Sequence, residues 1–195
     1  MAADSAAVSA SGQEDTRTRL LTTALRLFTE HGVEGTSLQM IADALGVTKA
    51  AVYYHFKTKD EITGAVAEPG LRELDSLVED ASRLRGRNAR VDHLLRGFVD
   101  IVVRHRTLMA LFSRDPGVTR ALTTSWTTRG SFSGTMLEIL AGPEGEMNQA
   151  IAAHAAIAGI AMTGGARQFA DLDDETLRAH LLDVGRRLLG RPRRR

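Results

Sequence analysis

Apolar residues in this chain recur at three- and four-residue intervals along most of its length, without strong runs of period-two alternation, so the pattern predicts helices and disfavours a sheet-rich fold. Over residues 15–31, Leu21, Ala24, Leu25 and Phe28 form one helical stripe, and Gly32 is placed to end that helix after His31. A second, short helix is expected to start at Thr36. Its hydroxyl suits an N-cap, Gln39 can complete a capping box, and Leu38, Ile41, Ala42 and Leu45 supply an apolar stripe. Gly46 ends it, because glycine enters the left-handed region without a Cβ clash. Thr48 then offers a cap for a third helix, with Val52 and Phe56 on one face and Lys49, Ala50, Ala51, Tyr53, Tyr54 and His55 on the other. Two short helices joined by a glycine turn and buttressed by a longer one read as a helix-turn-helix.

Beyond this module the pattern stays helical. Residues 60–68 read as a linking helix broken at Pro69 and Gly70, a plausible hinge, since proline removes a donor and glycine adds freedom. Helices are expected over 71–85, 90–105, 106–113, 118–141, 145–168 and 174–189, with a loop at 85–88 and a break at Gly142 and Pro143. The acidic run at 171–174 suits the N-terminus of the last helix. The expected fold is therefore all-α, with an arm over 1–14 read as disordered, a three-helix helix-turn-helix domain over 15–64, a larger helical domain over 65–190 and a basic tail over 191–195.

Composition narrows the chemistry. With 195 residues, 43% of them hydrophobic, the chain can bury one small and one larger helical core. It has no cysteine, which excludes thiolate metal sites, disulfides and cysteine nucleophiles. Its histidines, at 31, 55, 93, 105, 154 and 180, never fall three to five apart as a helical metal pair would, and there is no G-x-S-x-G, phosphate loop or H-E-x-x-H. Catalysis is not expected, nor a cofactor or a metal.

The net charge of +1 carries no signal, and residues 1–60 hold six Lys and Arg against seven Asp and Glu, so attraction to DNA must come from local patches. One exists: from Gly46 to Lys59 there are three lysines and no acidic residue. Residues 1–14 lack the features of a signal peptide. The uncharged run 147–166 could span a bilayer by length, but its alanines, with Asn148, Gln149 and His154, fit a buried helix at a subunit contact better. A cytoplasmic protein without a membrane partner is expected.

The segment 46–62, GVTKAAVYYHFKTKDEI, closely resembles the recognition helix and following helix start of the tetracycline-repressor-like (TetR) family of bacterial transcriptional regulators. The resemblance covers about the first third of the chain; beyond residue 65 only length and helical layout agree. It implies a double-stranded DNA operator as partner, contacted by Thr36, Ser37 and Gln39 at the entry of the second helix. Thr48, Lys49, Ala50 and Ala51 would head the recognition helix, with Tyr53, Tyr54 and His55 further along it, and Lys59 would grip a phosphate from the start of the fourth helix. Alanine at both 50 and 51 leaves few polar side chains for direct readout, so specificity would lean on Lys49, Gln39, thymine methyls and DNA shape.

The resemblance also implies a homodimer through the last two helices. Ala150, Ile151, His154, Ala155, Ala158, Met162 and Gly165 can lie on one face of the first, and Leu177, Leu181, Val184 and Leu188 recur along the second, although either set would also serve as monomer core. A sensor pocket for an unidentified small-molecule effector would draw on Phe98, His105, Met109, Phe112, Trp126, Phe132 and Met136. A constitutive or architectural helix-turn-helix protein without a sensor is the alternative.

Overall fold

The computed structural model describes the backbone of residues 2–112, 115, 118, 132–142 and 147–191, and side chains from residue 15 onward apart from those at 112, 132 and 133. The described residues form nine α-helices and no strand: α1 (Ala2–Gly35), α2 (Leu38–Leu45), α3 (Lys49–His55), α4 (Lys59–Arg83), α5 (Arg87–Arg104), α6 (Arg106–Phe112), α7 (Phe132–Ala141), α8 (Met147–Gly164) and α9 (Asp174–Leu188), with a short 3-10 turn at Arg167–Phe169. The all-α expectation holds. Two compact units result, residues 1–68 with 115–125, and residues 69–114 with 126–195. The arm expected over 1–14 and all but Arg191 of the expected tail lie outside the residues whose side chains are described, as does most of the long helix expected over 118–141.

In the first unit α1 buries Leu20, Ala24, Leu27 and Phe28, one step round from the expected stripe, while Leu21 and Leu25 are only half-buried. α2 packs on α1, and α3 packs on α2. Helical bonding is assigned as far as Gly35, yet Gly32 adopts φ 76° and ψ 164°, so the chain does leave its helical path at the expected glycine. Ile41, Ala42, Val52, Phe56 and Ile62 complete this core.

The start of α2 corrects the sequence reading. Ser37, not Thr36, is the N-cap, its side chain accepting the Met40 N–H at 3.1 Å. Thr36 is buried, its hydroxyl donating to the Gly32 carbonyl at 2.8 Å, and Gln39 donates to the Asp43 carboxylate at 2.7 Å instead of reaching back to the cap. Thr36 packs into the core and its hydroxyl is spent on the end of α1, so the next residue takes over the cap.

The expected break at Pro69 and Gly70 is also corrected, because α4 runs through both. Proline at 69 removes only its own donor, leaving the Ala65 carbonyl without its usual i+4 partner, and the flanking turns continue the helix. In the second unit α5 is central: Val91, Leu94, Leu95, Phe98, Val99 and Val102 are all buried, so the helix is covered nearly all round. Leu77 and Val78 of α4, Met136 and Leu140 of α7, Ala153 and Ile160 of α8, and Leu177 and Leu181 of α9 pack on it. Among the described residues no helix is long and apolar enough to cross a membrane.

The acidic start of α9 is as expected. Asp173 is its N-cap, accepting the Thr176 N–H at 2.9 Å and the Thr176 hydroxyl at 2.7 Å. Those two bonds, the backbone one first, hold its carboxyl below the ordinary value of 3.8. A carboxyl with a lowered folded value contributes its stabilisation above the unfolded value and loses it as pH falls through the folded one. Thermal melts from neutral pH to pH about 2 should therefore show an acid limb that is shallower in Asp173→Ala, and parallel curves would show that the cap does not titrate with folding.

Candidate nucleic-acid interface

The turn between α2 and α3 is built by backbone geometry that only a few residues accept. Gly46 is left-handed at φ 73° and ψ 31°, its N–H reaches the last turn of α2, and the Val47 N–H bonds the Ala42 carbonyl at 3.0 Å. These bonds use carbonyls that the end of a helix otherwise leaves without donors. Thr48 then caps α3, accepting the Ala51 N–H at 3.2 Å, as its position suggested.

The helix α3 is two-faced. Val52 is fully buried and Phe56, just past the helix, is nearly so, which pins one side to α1 and α2. The other side is in solvent: Lys49 and Ala50 are exposed, Ala51 and His55 half-buried, and Tyr53 and Tyr54 are 39% and 68% exposed. Tyr54 thus leaves most of its surface in water and Tyr53 more than a third of its own, on one short helix. Lys49 Nζ lies 5.6 Å from the centre of the Tyr53 ring, and Tyr54 meets His55 edge-on at 5.2 Å. Ser37, Gln39 and Thr48 are exposed as well.

Two expected contacts fall elsewhere. Thr36 is buried, so its side chain is withdrawn from this surface. Lys59 is turned inward, donating to the carbonyls of Val33 at 2.9 Å and Glu34 at 3.2 Å, with the Glu34 carboxylate at 3.5 Å. A lysine at a helix start can reach a phosphate only if it is not already engaged, and the carbonyls of Val33 and Glu34 engage this one.

Lys57 is a neighbour that the sequence reading counted only as charge. Its ammonium donates to the Tyr53 carbonyl at 2.5 Å, at the end of α3, and its N–H donates to Glu61 at 2.7 Å. Thr58 accepts the Glu61 N–H at 3.1 Å, so Thr58 and Glu61 act as a capping pair for α4. The T-x-x-E spacing before an apolar run is the signal that could have shown this. Arg17 of α1 stacks over the Phe56 ring at 5.3 Å, a support that periodicity does not reveal.

Helix-turn-helix geometry on an exposed, basic and aromatic α3 invites comparison with known proteins. The sequence profile of the family described as "Bacterial regulatory proteins, tetR family" matches residues 20–66, most of this module. Its helix-turn-helix module is that of the TetR family. It is 47% identical over 55 residues to the HTH-type transcriptional regulator AcrR of Shigella flexneri, covering 28% of this chain and 26% of that one. It is 44% identical over 61 residues to the probable acrEF/envCD operon repressor of Escherichia coli, covering 30% and 28%. The chain thus matches little more than a quarter of the length of these two relatives.

Solved TetR-family structures extend the likeness in fold to most of the chain. The regulator PfmR of Thermus thermophilus superposes with a TM-score of 0.64 at 23% identity, covering 90% of this chain and 100% of that one. NalD of Pseudomonas aeruginosa, a secondary repressor of a multidrug efflux pump, gives 0.62 at 24% identity over 90% and 96%. At such identities the shared fold is all that follows.

The expected sensor residues are divided. Phe98 and Met136 are core, Met109 packs against that core, and half-buried His105 bonds Glu73 at 3.1 Å. The side chains of Phe112 and Phe132, and all of Trp126, lie outside the described residues. Two clefts are lined by other residues. One, of about 580 Å³, follows α4 and α5 past Glu73, Leu77, His93, Gly97 and Arg104. The other, about 530 Å³ and mostly apolar, follows α8 and α9 past Gly159, Phe169, Leu172, His180 and Val184. No group of His, Cys, Asp and Glu among the described residues could hold a metal ion.

Proposed function

We propose that the protein is a DNA-binding transcriptional regulator, a cytoplasmic repressor that grips a palindromic operator as a homodimer and lets go when a small molecule binds. The observation that carries the DNA reading is the face of α3: Lys49, Tyr53 and Tyr54 in solvent on a helix whose opposite side is locked by Val52 and Phe56. A recognition helix needs that division, one side held rigid and the other free to enter a major groove. Selection from a random duplex pool should enrich a two-fold symmetric motif, and recovery of no motif at low salt would sink the reading. Lys49→Ala should weaken that binding and lower the slope of log affinity against log salt by about one, since one phosphate neutralised is roughly one counterion released. An unchanged slope would remove Lys49 from the phosphate contacts.

The dimer reading draws on exposed apolar side chains. Met147, Ile151 and Met162 of α8 are 74%, 58% and 61% exposed, and Val184 and Leu188 of α9 are 48% and 41% exposed. His154, Ala155 and Ala158 lie in solvent beside them, and Ala150 is half-buried. Leu177 and Leu181 belong instead to the core of the second unit, and Gly165 packs against α6, so the face available to a partner is narrower than the sequence suggested.

A second reading, a constitutive helix-turn-helix protein without a sensor, draws on Phe98 and Met136 being ordinary core. Titration of the single tryptophan with apolar compounds, paired with operator release, separates the two.

A further inference from the structure

Val33 stands where α1 leaves its helical path ahead of α2, and two charged side chains distant in sequence hold its backbone. Its N–H donates to the Asp115 carboxylate at 2.5 Å, and its carbonyl accepts from Lys59 Nζ at 2.9 Å. The residue itself is fully buried. In a regular helix this N–H would turn to the Thr29 carbonyl, but the positive φ of Gly32 aims it elsewhere. A Cβ on Gly32 would lie 3.1 Å from the Asp115 carboxylate, so glycine supplies the conformation and also leaves room for the anion. Asp115 is firmly seated, since the Val118 N–H bonds its carbonyl at 3.1 Å and Val118 is fully buried. Both residues follow α6 in the chain yet group with the helix-turn-helix unit.

We propose that Asp115 is a positioning residue for DNA binding, acting through the Val33 amide to fix the junction between α1 and α2; the role rests on the DNA-binding reading above. Without the carboxylate the Val33 N–H is a buried donor with no acceptor, a costly state that the junction relieves by opening. Opening carries the start of α2, with Ser37 and Gln39, out of place relative to α3. A site that reads base edges tolerates misplacement of roughly 0.5 Å. Ile41, Ala42 and Val52 are fully buried and hold the unit folded. Operator affinity thus becomes conditional on the bond between the Asp115 carboxylate and the Val33 amide.

The test uses the full-length protein labelled with ¹⁵N and the operator recovered by selection. Asp115→Ala should speed exchange of the Val33 amide and weaken operator binding, each on the order of tenfold, the size expected for a hydrogen bond to a charged group. The amides of Ala42 and Val52 should exchange as in the parent. Asp115→Asn keeps an acceptor oxygen and should restore most of both losses; it also carries the test if the alanine variant fails to fold. Unchanged Val33 exchange in the alanine variant overturns the proposal, and so does faster exchange with unchanged affinity, which would make the contact merely structural. A parent that selects no DNA overturns the functional reading and this role with it, whereas a parent and an alanine variant that bind equally overturn this role alone.

Discussion

Replacing Ile151 and Val184 together with glutamate is expected to give a folded monomer whose affinity for a palindromic operator is lower by roughly 10² to 10⁴, the range that linking two binding modules typically supplies. Both side chains are more than two-fifths exposed, at 58% and 48%, so the substitutions remove nothing from the core of the protomer. In a two-fold dimer built on α8 and α9 the same positions are covered, and each copy would bury two carboxylates in a mostly apolar contact. Charge is absent from α8 itself, whose sequence MNQAIAAHAAIAGIAMTG contains no Asp, Glu, Lys or Arg. A helix with three large apolar side chains exposed, Met147, Ile151 and Met162, and no ionic group is poorly suited to permanent contact with water. Sedimentation at micromolar concentration should show the parent as a dimer and the double variant as a monomer with an unchanged helical spectrum. Binding to an isolated half-site should be nearly equal for the two. A double variant that still sediments as a dimer would place the interface elsewhere, and a parent that is monomeric would remove the dimer from the proposed function altogether.

What the sequence showed depended on how local the governing physics was. The turn at Gly46 and the cap at Thr48 are set by residues within four positions of each other, and both stand where the pattern put them. The start of α2 was missed by one residue because Thr36 and Ser37 are both capable caps in isolation; the choice is made by the core, which claims Thr36, and by the Gly32 carbonyl, which takes its hydroxyl. Lys59 was misjudged for a similar reason. Its charge is visible in the sequence, but the carbonyls of Val33 and Glu34 that engage it arrive from 26 and 25 positions away. Leu177 and Leu181 share a helical stripe with Val184 and Leu188, and periodicity cannot separate them. They part only because α9 meets α5 and α8 along one edge, burying the first two and leaving the others in water. Pro69 reads as a break when judged by its own propensity, and is carried by the intact turns of α4 on either side.

Gly165 offers the severest test of the packing in the second unit, and alanine there is expected to cost about 3 kcal/mol or more, at the upper end for overpacking. A Cβ at this position would lie 2.2 Å from the Ala110 nitrogen, 2.4 Å from the Met109 carbonyl carbon and 2.7 Å from the Ala110 Cα. All three are backbone atoms of α6. A crowded side chain can rotate away, but a helix backbone can only move as a body, and moving α6 strips contacts from Leu108 and Leu111, both buried. For a chain of this length the loss corresponds to a fall in Tm of roughly 6 to 12 °C. Gly159, one and a half turns earlier, predicts the opposite sign, because nothing lies within 4 Å of its would-be Cβ. Alanine there should gain about 0.5–1 kcal/mol from the lower entropy of the unfolded chain. Both substitutions are best compared in the Ile151→Glu, Val184→Glu background, where changes at a subunit contact cannot mask changes in the protomer. Equal melting temperatures for the two alanine variants would mean that α6 and the end of α8 do not approach each other as closely as the backbone distances require.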